Sequence, residues 1–172
     1  MNKTDLSTFN NTWYNPGGSF LKRSLWYFIN AHVLKSAMPF MGFKIALLKM
    51  FGAKIGKGLV LKPHVSVKYP WHLEIGNHVW IGENVWIDNL DKVKIGDNVC
   101  LSQGALLLSG NHNYKKTSFD LIVKPIIIEE GAWIGAKSIV TQGVIIGQHA
   151  VLKVNSVATS NLEAYGIYNG NP

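Results

Sequence analysis

Residues 73–110 read LEIGNHVWIGENVWIDNLDKVKIGDNVCLSQGALLLSG, and the spacing inside this stretch decides the fold. Aliphatic side chains recur every six positions, at Ile75, Ile81 and Ile87, then at Ile95, Leu101 and Leu107. The ladder extends upstream to Ile55, Leu61 and Val67. After a break it resumes downstream as Ile128, Ile134 and Val140, then Ile146, Leu152 and Ala158. Glycine follows the rung at Gly56, Gly76, Gly82, Gly96, Gly135 and Gly147. Four residues after the rung the side chain is usually small or β-branched, as at Val65, Val79, Val85, Val99, Ala105, Ala132, Ser138, Val144 and Ala150. Neither the 3.6-residue period of a helix nor simple alternation gives this pattern. It is the sequence form of a β-solenoid. Each short strand supplies one inward aliphatic, glycine eases a corner, and the small residue fits the next corner.

Three hexads make a triangular coil. The Ile-Gly pairs at 55, 75 and 95 are spaced two residues wider than three hexads, which places insertions near Leu73-Glu74 and Val93-Lys94. The expected fold is therefore all-β, a parallel β-helix of about five coils spanning 55–72, 75–92, 95–112, 128–145 and 146–163. Residues 1–54 form an N-terminal extended and helical capping segment, and residues 55–172 the β-helix. An excursion loop at about 113–127 belongs to no coil, and a loop of that length in a regular solenoid usually carries function. Within the N-terminal segment, residues 19–52 read as two short helices split at Pro39. They are apolar, aromatic and basic, which suits capping the open end of the solenoid, docking on a membrane face, or both.

Composition narrows the class. The 172 residues are 47% hydrophobic and 16% charged, as in one globular domain. The single cysteine, Cys100, permits no intrachain disulfide and reads as a small buried thiol. No run approaches the roughly 20 apolar residues of a spanning helix, and the polar start has no secretory signal character. A cytoplasmic protein is expected, with a peripheral position at the inner face of the membrane as an extension of that reading. The net charge of +7 favours anionic partners. No basic-aromatic platform accompanies it, so nucleic acid is not an expected partner.

The ladder, the loop after the third coil and the phrase PIIIEEGAWIGAKSIV (residues 125–140) resemble the hexapeptide-repeat acyltransferases, among them the galactoside, maltose and xenobiotic acetyltransferases. The stretches WYNPGGSFLKRSLWYFIN, KPHVSVKYPWHLEIGNHVWIGENVWIDNL, Ser109-Gly110-Asn111-His112 with Tyr114, and GIYNGNP are closer to the colanic-acid-type exopolysaccharide acetyltransferases. The resemblance implies a left-handed coil, an acetyl-CoA donor with no metal, and a homotrimer with active sites between neighbouring subunits. It implies a sugar or glycan hydroxyl as acceptor. A soluble sugar, a nucleotide-sugar amine or a xenobiotic is the alternative, and a non-enzymatic scaffold a remote one.

By the same resemblance His112 is the general base, and Asp88, Asn111 and Tyr114 meet the acceptor. Trp133, Gly135, Ala136, Lys153, Val154 and Thr159 border the coenzyme. Three departures from the subgroup stand out. Asn113 replaces an aspartate after the histidine. Lys153-Val154-Asn155 replaces a glycine-alanine-glycine run. Thr159-Ser160 replaces Thr-Lys, and relatives continue past the position of Pro172 into a short basic tail.

The chemistry can be stated without the family. Moving an acetyl group from a thioester to an alcohol needs a base for the hydroxyl proton, a donor for the tetrahedral oxyanion and alignment of two substrates. Imidazole serves as such a base near neutral pH. His32, His64, His72, His78 and His149 lie in the helical segment or near coil corners and read as structural. His112 alone opens the long loop. A zinc-dependent γ-type carbonic anhydrase would need three converging histidines, and the loop offers one.

Overall fold

The hexad produces three parallel faces. The structure is a computed structural model that describes residues 3–171. Its first face stacks Lys54–Ile55, Leu73–Ile75, Val93–Ile95, Ile126–Ile128 and Ile145–Ile146. The second stacks Val60–Leu61, Trp80–Ile81, Cys100–Leu101, Trp133–Ile134, Val151–Leu152 and Ile167–Tyr168. The third stacks Ser66–Val67, Trp86–Asp88, Leu106–Leu108, Ile139–Thr141 and Val157–Ala158. Rung lies over rung, so Ile55, Ile75, Ile95, Ile128 and Ile146 are successive register partners on the first face. Every rung is buried except Ile55, which packs half-buried at the open end. Burying each aliphatic side chain contributes about 1.5–3 kcal/mol.

The solenoid runs further than the five expected coils. Leu162 bridges Ile146, and Ile167–Tyr168 adds a sixth strand to the second face. The two-residue insertions also fall elsewhere. Leu73, Glu74, Val93 and Lys94 are regular strand residues, and the extra length is taken up in the preceding corners. One of these is the 3-10 turn Pro70–His72, and the other runs through Asn89–Asp91.

Corners work differently from the sequence expectation. The left-handed backbone sits three residues after the rung, at Gly58, His64, His78, Asn84, Asn98, Gly104, Gly131, Lys137, Gly143, His149, Asn155 and Tyr165. Glycine, asparagine and histidine are enriched there because they tolerate positive φ best. This explains His64, His78 and His149. The glycine that follows the rung has ordinary φ and serves close stacking instead. A Cβ on Gly147 would lie 2.5 Å from the Ala164 nitrogen of the next coil, and one on Gly76 would lie 2.7 Å from the Asp97 nitrogen.

Residues 19–52 close the first coil. Helix α1 (Phe20–Ile29) is capped by Ser19, whose Oγ accepts the Lys22 N–H at 3.2 Å, and runs on into the π turn Asn30–Leu34. Helix α2 (Met41–Met50) follows the break at Pro39. Trp26, Leu34, Leu48 and Phe51 join the solenoid core, and the Trp26 indole donates to the Val67 carbonyl at 2.9 Å. Lys44 is buried beneath them, its Nζ donating to the carbonyls of Leu34 (3.2 Å) and Ser36 (2.6 Å). That burial lowers its pKa.

Candidate active site

After the third coil the chain leaves the solenoid as an ordered hairpin. Gly110–His112 pairs antiparallel with Leu121–Val123, bringing His112 opposite Leu121. Ile126 has already rejoined the first face beside Val93. The excursion expected at about 113–127 is therefore rooted earlier, at Gly110, and returned earlier. Its base is fixed by Ser109, which is fully buried. The Ser109 Oγ donates to the Asp88 carbonyl (3.1 Å) and accepts the Asp91 N–H (3.0 Å).

His112 is held from three sides. Its Nδ1 lies 2.9 Å from the carbonyl oxygen of Phe119. A carbonyl only accepts, so Nδ1 carries the proton and Nε2 keeps a lone pair free to take one. The Phe119 ring stacks on the imidazole at 4.4 Å with an interplanar angle of 6°, and Phe9 packs against it at 5.6 Å. Phe119 occupies positive φ (52°), an unfavourable backbone region for an aromatic residue. The hairpin carboxylate, Asp120, does not meet the histidine. It accepts from Ser118 Oγ (2.6 Å) and Lys116 Nζ (2.9 Å), and these bonds, Ser118 first, hold its pKa below the usual carboxylate range.

The N-terminal arm straps the hairpin down. The Asp5 N–H donates to the Thr117 carbonyl near the tip at 2.9 Å. The Tyr14 hydroxyl donates to the Leu90 carbonyl at the root at 2.7 Å, and burial raises its pKa well above the ordinary phenol value. The Leu90 side chain lies against Gly110, where a Cβ would come within 2.7 Å of it.

The expected acceptor residues gather around this root. Asn111 is exposed, its Oδ1 accepting the His112 N–H at 2.8 Å, and Tyr114 is exposed just beyond. Asp88 is buried one coil below, in register with Leu108. Its Oδ1 lies 2.9 Å from Lys68 Nζ, an ion pair without a directed hydrogen bond at that oxygen. Asp88 lines a cavity of about 440 Å³ with Tyr27, Asn30, His64, Lys68 and Trp86. A second cavity of similar volume shares Tyr27, Asn30 and Lys68 and continues along α1. The two form one groove between α1 and the third face.

The expected coenzyme residues lie apart from the hairpin. Trp133 stands half-exposed on the second face, its indole donating to Ser102 Oγ at 2.9 Å. Gly135 faces the next coil, where a Cβ would lie 2.5 Å from the Val154 nitrogen, so its smallness is used in stacking. The Ala136 carbonyl accepts from the Asn155 N–H at 2.8 Å. Lys153, Val154 and Thr159 are exposed on the fifth coil. Within one chain, then, the histidine and the tryptophan belong to different faces. Among the described residues no cluster of three or more His, Cys, Asp or Glu side chains is placed to hold a metal. No helix among them is long and apolar enough to cross a membrane.

Phe119, Phe9, Thr117 and Tyr14 were not among the residues expected to matter. Nothing in the sequence marks them, because Phe119 acts through a backbone carbonyl and the other three sit in a polar arm or a loop without period.

A triangular parallel solenoid with an Ile-Gly hexad, broken once by a histidine-bearing hairpin, defines a hexapeptide-repeat protein. The profile described as "Hexapeptide repeat of succinyl-transferase" matches residues 125–160. WcaF of Escherichia coli (strain K12) is 34% identical over 169 residues, covering 98% of this chain and 93% of its own. Its name assigns it provisionally to colanic acid biosynthesis as an acetyltransferase. The galactoside O-acetyltransferase of the same organism is 27% identical over 120 residues, covering 68% of this chain and 59% of its own. A hexapeptide-repeat acetyltransferase of Vibrio cholerae O1 biovar eltor, solved with acetyl coenzyme A, superposes with a TM-score of 0.78 at 25% identity. That match covers 87% of this chain and 82% of the solved one. The chain belongs to the hexapeptide-repeat acetyltransferases and is an acyl-CoA-dependent acyltransferase.

Proposed function

We propose that this enzyme moves an acetyl group from acetyl-CoA to a sugar hydroxyl in exopolysaccharide biosynthesis, with His112 as general base. The observation that carries the reading is the Nδ1 contact to the Phe119 carbonyl, which leaves Nε2 as the basic nitrogen. Nε2 takes the hydroxyl proton as the sugar oxygen attacks the thioester carbonyl. The tetrahedral intermediate collapses with cleavage of the C–S bond, and the imidazolium returns the proton to the departing thiolate. The products are an acetyl ester and free CoA thiol. Such base catalysis contributes roughly 10²–10⁴ in rate.

The groove between α1 and the third face suits a sugar. Tyr27 and Trp86 offer aromatic surface, and Asn30, Lys68 and the Asp88 carboxylate offer hydrogen-bonding groups. Asn111 and Tyr114 complete the acceptor side. Trp133, Gly135, Ala136, Lys153, Val154 and Thr159 form the acetyl-CoA side. Because these lie on another face, the complete site needs a neighbouring subunit. A homotrimer supplies one, and the half-exposed Trp80, Trp86 and Trp133 on the second and third faces give it apolar surface to bury. Use of acetyl-CoA fits a cytoplasmic reaction.

The test is CoA-thiol release from acetyl-CoA with glycan acceptors, read with product mass. His112→Ala is expected to lower the rate at least about a hundredfold while the oligomer persists. Full activity in that variant removes His112 from the mechanism. A wild-type monomer at micromolar concentration removes the shared site.

A further inference from the structure

We propose that the outer side of α1 and α2 docks this enzyme on the surface of an anionic lipid bilayer. Charge is divided sharply along the chain. Residues 6–73 hold nine lysines and arginines and no aspartate or glutamate, whereas the rest of the chain holds eight cations and ten carboxylates. The whole positive excess therefore sits with the helices and the first coil. Two of the nine cations are answered by carboxylates from later coils, Lys54 by Glu74 and Lys68 by Asp88. Lys35 and Lys49 are exposed on the helical segment itself.

Apolar exposure is concentrated in the same place. Phe20 and Leu21 are 77% and 75% exposed and Met50 is 69% exposed, joined by Leu25, Phe28 and Phe43. Capping the solenoid does not account for them. That task falls to Trp26, Leu34, Leu48 and Phe51 on the inner side, which are buried. Leu21, Leu25 and Phe28 follow the spacing of one helix stripe, so the exposed groups of α1 share a side.

Large apolar groups beside unpaired cations are the composition of an interfacial helix, whose apolar side enters the acyl boundary while lysines meet the headgroups. The helix is also already formed. Ser19 caps it, the Trp26 indole anchors it to Val67, and the Asn30 amide bonds Ser66 and the Val67 N–H. Docking therefore costs little ordering of the chain. Charge argues against a second copy of this face as the occupant, since two carboxylate-free basic surfaces repel. The proposal stands independently of the reading of His112.

The experiment is cosedimentation of the full chain with vesicles of phosphatidylcholine alone and of phosphatidylcholine mixed with phosphatidylglycerol. Binding to the mixed vesicles is expected to be at least about tenfold tighter, since each surface cation near an anionic leaflet is worth roughly fivefold. It should weaken as salt rises. Lys35→Glu with Lys49→Glu should remove most of that preference. Leu21→Ser with Leu25→Ser, both exposed and outside the groove, should lower binding at least about tenfold with an unchanged circular dichroism spectrum and melting point. Equal binding to both vesicles, no binding, or unaltered binding by both double variants overturns the proposal. So does an oligomer that dissociates in the Leu21/Leu25 variant while vesicle binding is unaffected, which would make this side a contact between copies.

Discussion

Eight non-glycine residues at the solenoid corners adopt positive φ, each three positions after a buried aliphatic, and one residue in the His112 hairpin does so with no such pattern before it. At the corners the left-handed residue turns the chain so that the next residue, small and buried, can face the core, as Ala150 does after His149. The cost recurs coil after coil and is offset by stacked backbone bonds, such as His149 N–H to the Glu130 carbonyl at 2.9 Å. In the hairpin, Phe119 adopts the same backbone for a different result. Its carbonyl turns onto His112 Nδ1 and its ring lies flat on the imidazole. The coils use an unfavourable conformation to build a repeat, and the hairpin uses it to aim one ring nitrogen. Strain in this molecule is thus informative only where it breaks the period.

That contrast breaks hardest at a rung. Leu107 is fully buried in the third coil, three residues before the hairpin begins. Leu107→Ala should cost about 2–5 kcal/mol, lost transfer energy plus cavity, measured by denaturant unfolding of the oligomer. A variant as stable as the wild type would mean that the ladder is not the source of stability.

Gly147→Ala tests the stacking next. The added Cβ would meet backbone atoms, 2.5 Å from the Ala164 nitrogen and 2.7 Å from the Leu162 oxygen, and backbone cannot rotate away as a side chain can. Overpacking of this kind should cost about 1–3 kcal/mol, read as a lower melting temperature. An unchanged melting temperature would return this glycine to the corner-easing role first expected of it.

The same division explains what the sequence disclosed. The rungs, the small corner residues and the interruption after Leu107 were legible because every strand must place one aliphatic inward, and a six-residue requirement leaves a six-residue trace. His112 was legible as the histidine at that interruption, although its role came from resemblance. The hairpin, the sixth turn and the arm from Asp5 to Tyr14 were not legible. Antiparallel pairing of Gly110–His112 with Leu121–Val123 has no period, and Asp5 reaches Thr117 through backbone atoms that every residue possesses. The glycine after the rung was visible, yet its reason was not, because the clash it avoids is with the next coil, at Gly147 with a residue seventeen positions away.

Phe119 gives the smallest effect and the sharpest test of the comparison. If the backbone carbonyl is what matters, glycine should serve better than alanine at this position, because glycine adopts positive φ freely and alanine does not. Both variants lose the ring that stacks on His112, so both should transfer acetyl groups more slowly. We expect Phe119→Ala to lower kcat about tenfold, equivalent to about 1.4 kcal/mol, and Phe119→Gly to lower it less. In both, the melting temperature should stay near wild type, because Phe119 lies outside the buried core of the solenoid. The pH–rate profile separates positioning from packing. With the Nδ1 contact weakened, the acid limb, where protonation silences the base, should move in the alanine variant and stay in place in the glycine variant. Equal losses in the two variants, with identical profiles, would assign Phe119 to ring packing alone and leave its backbone conformation without a role in catalysis.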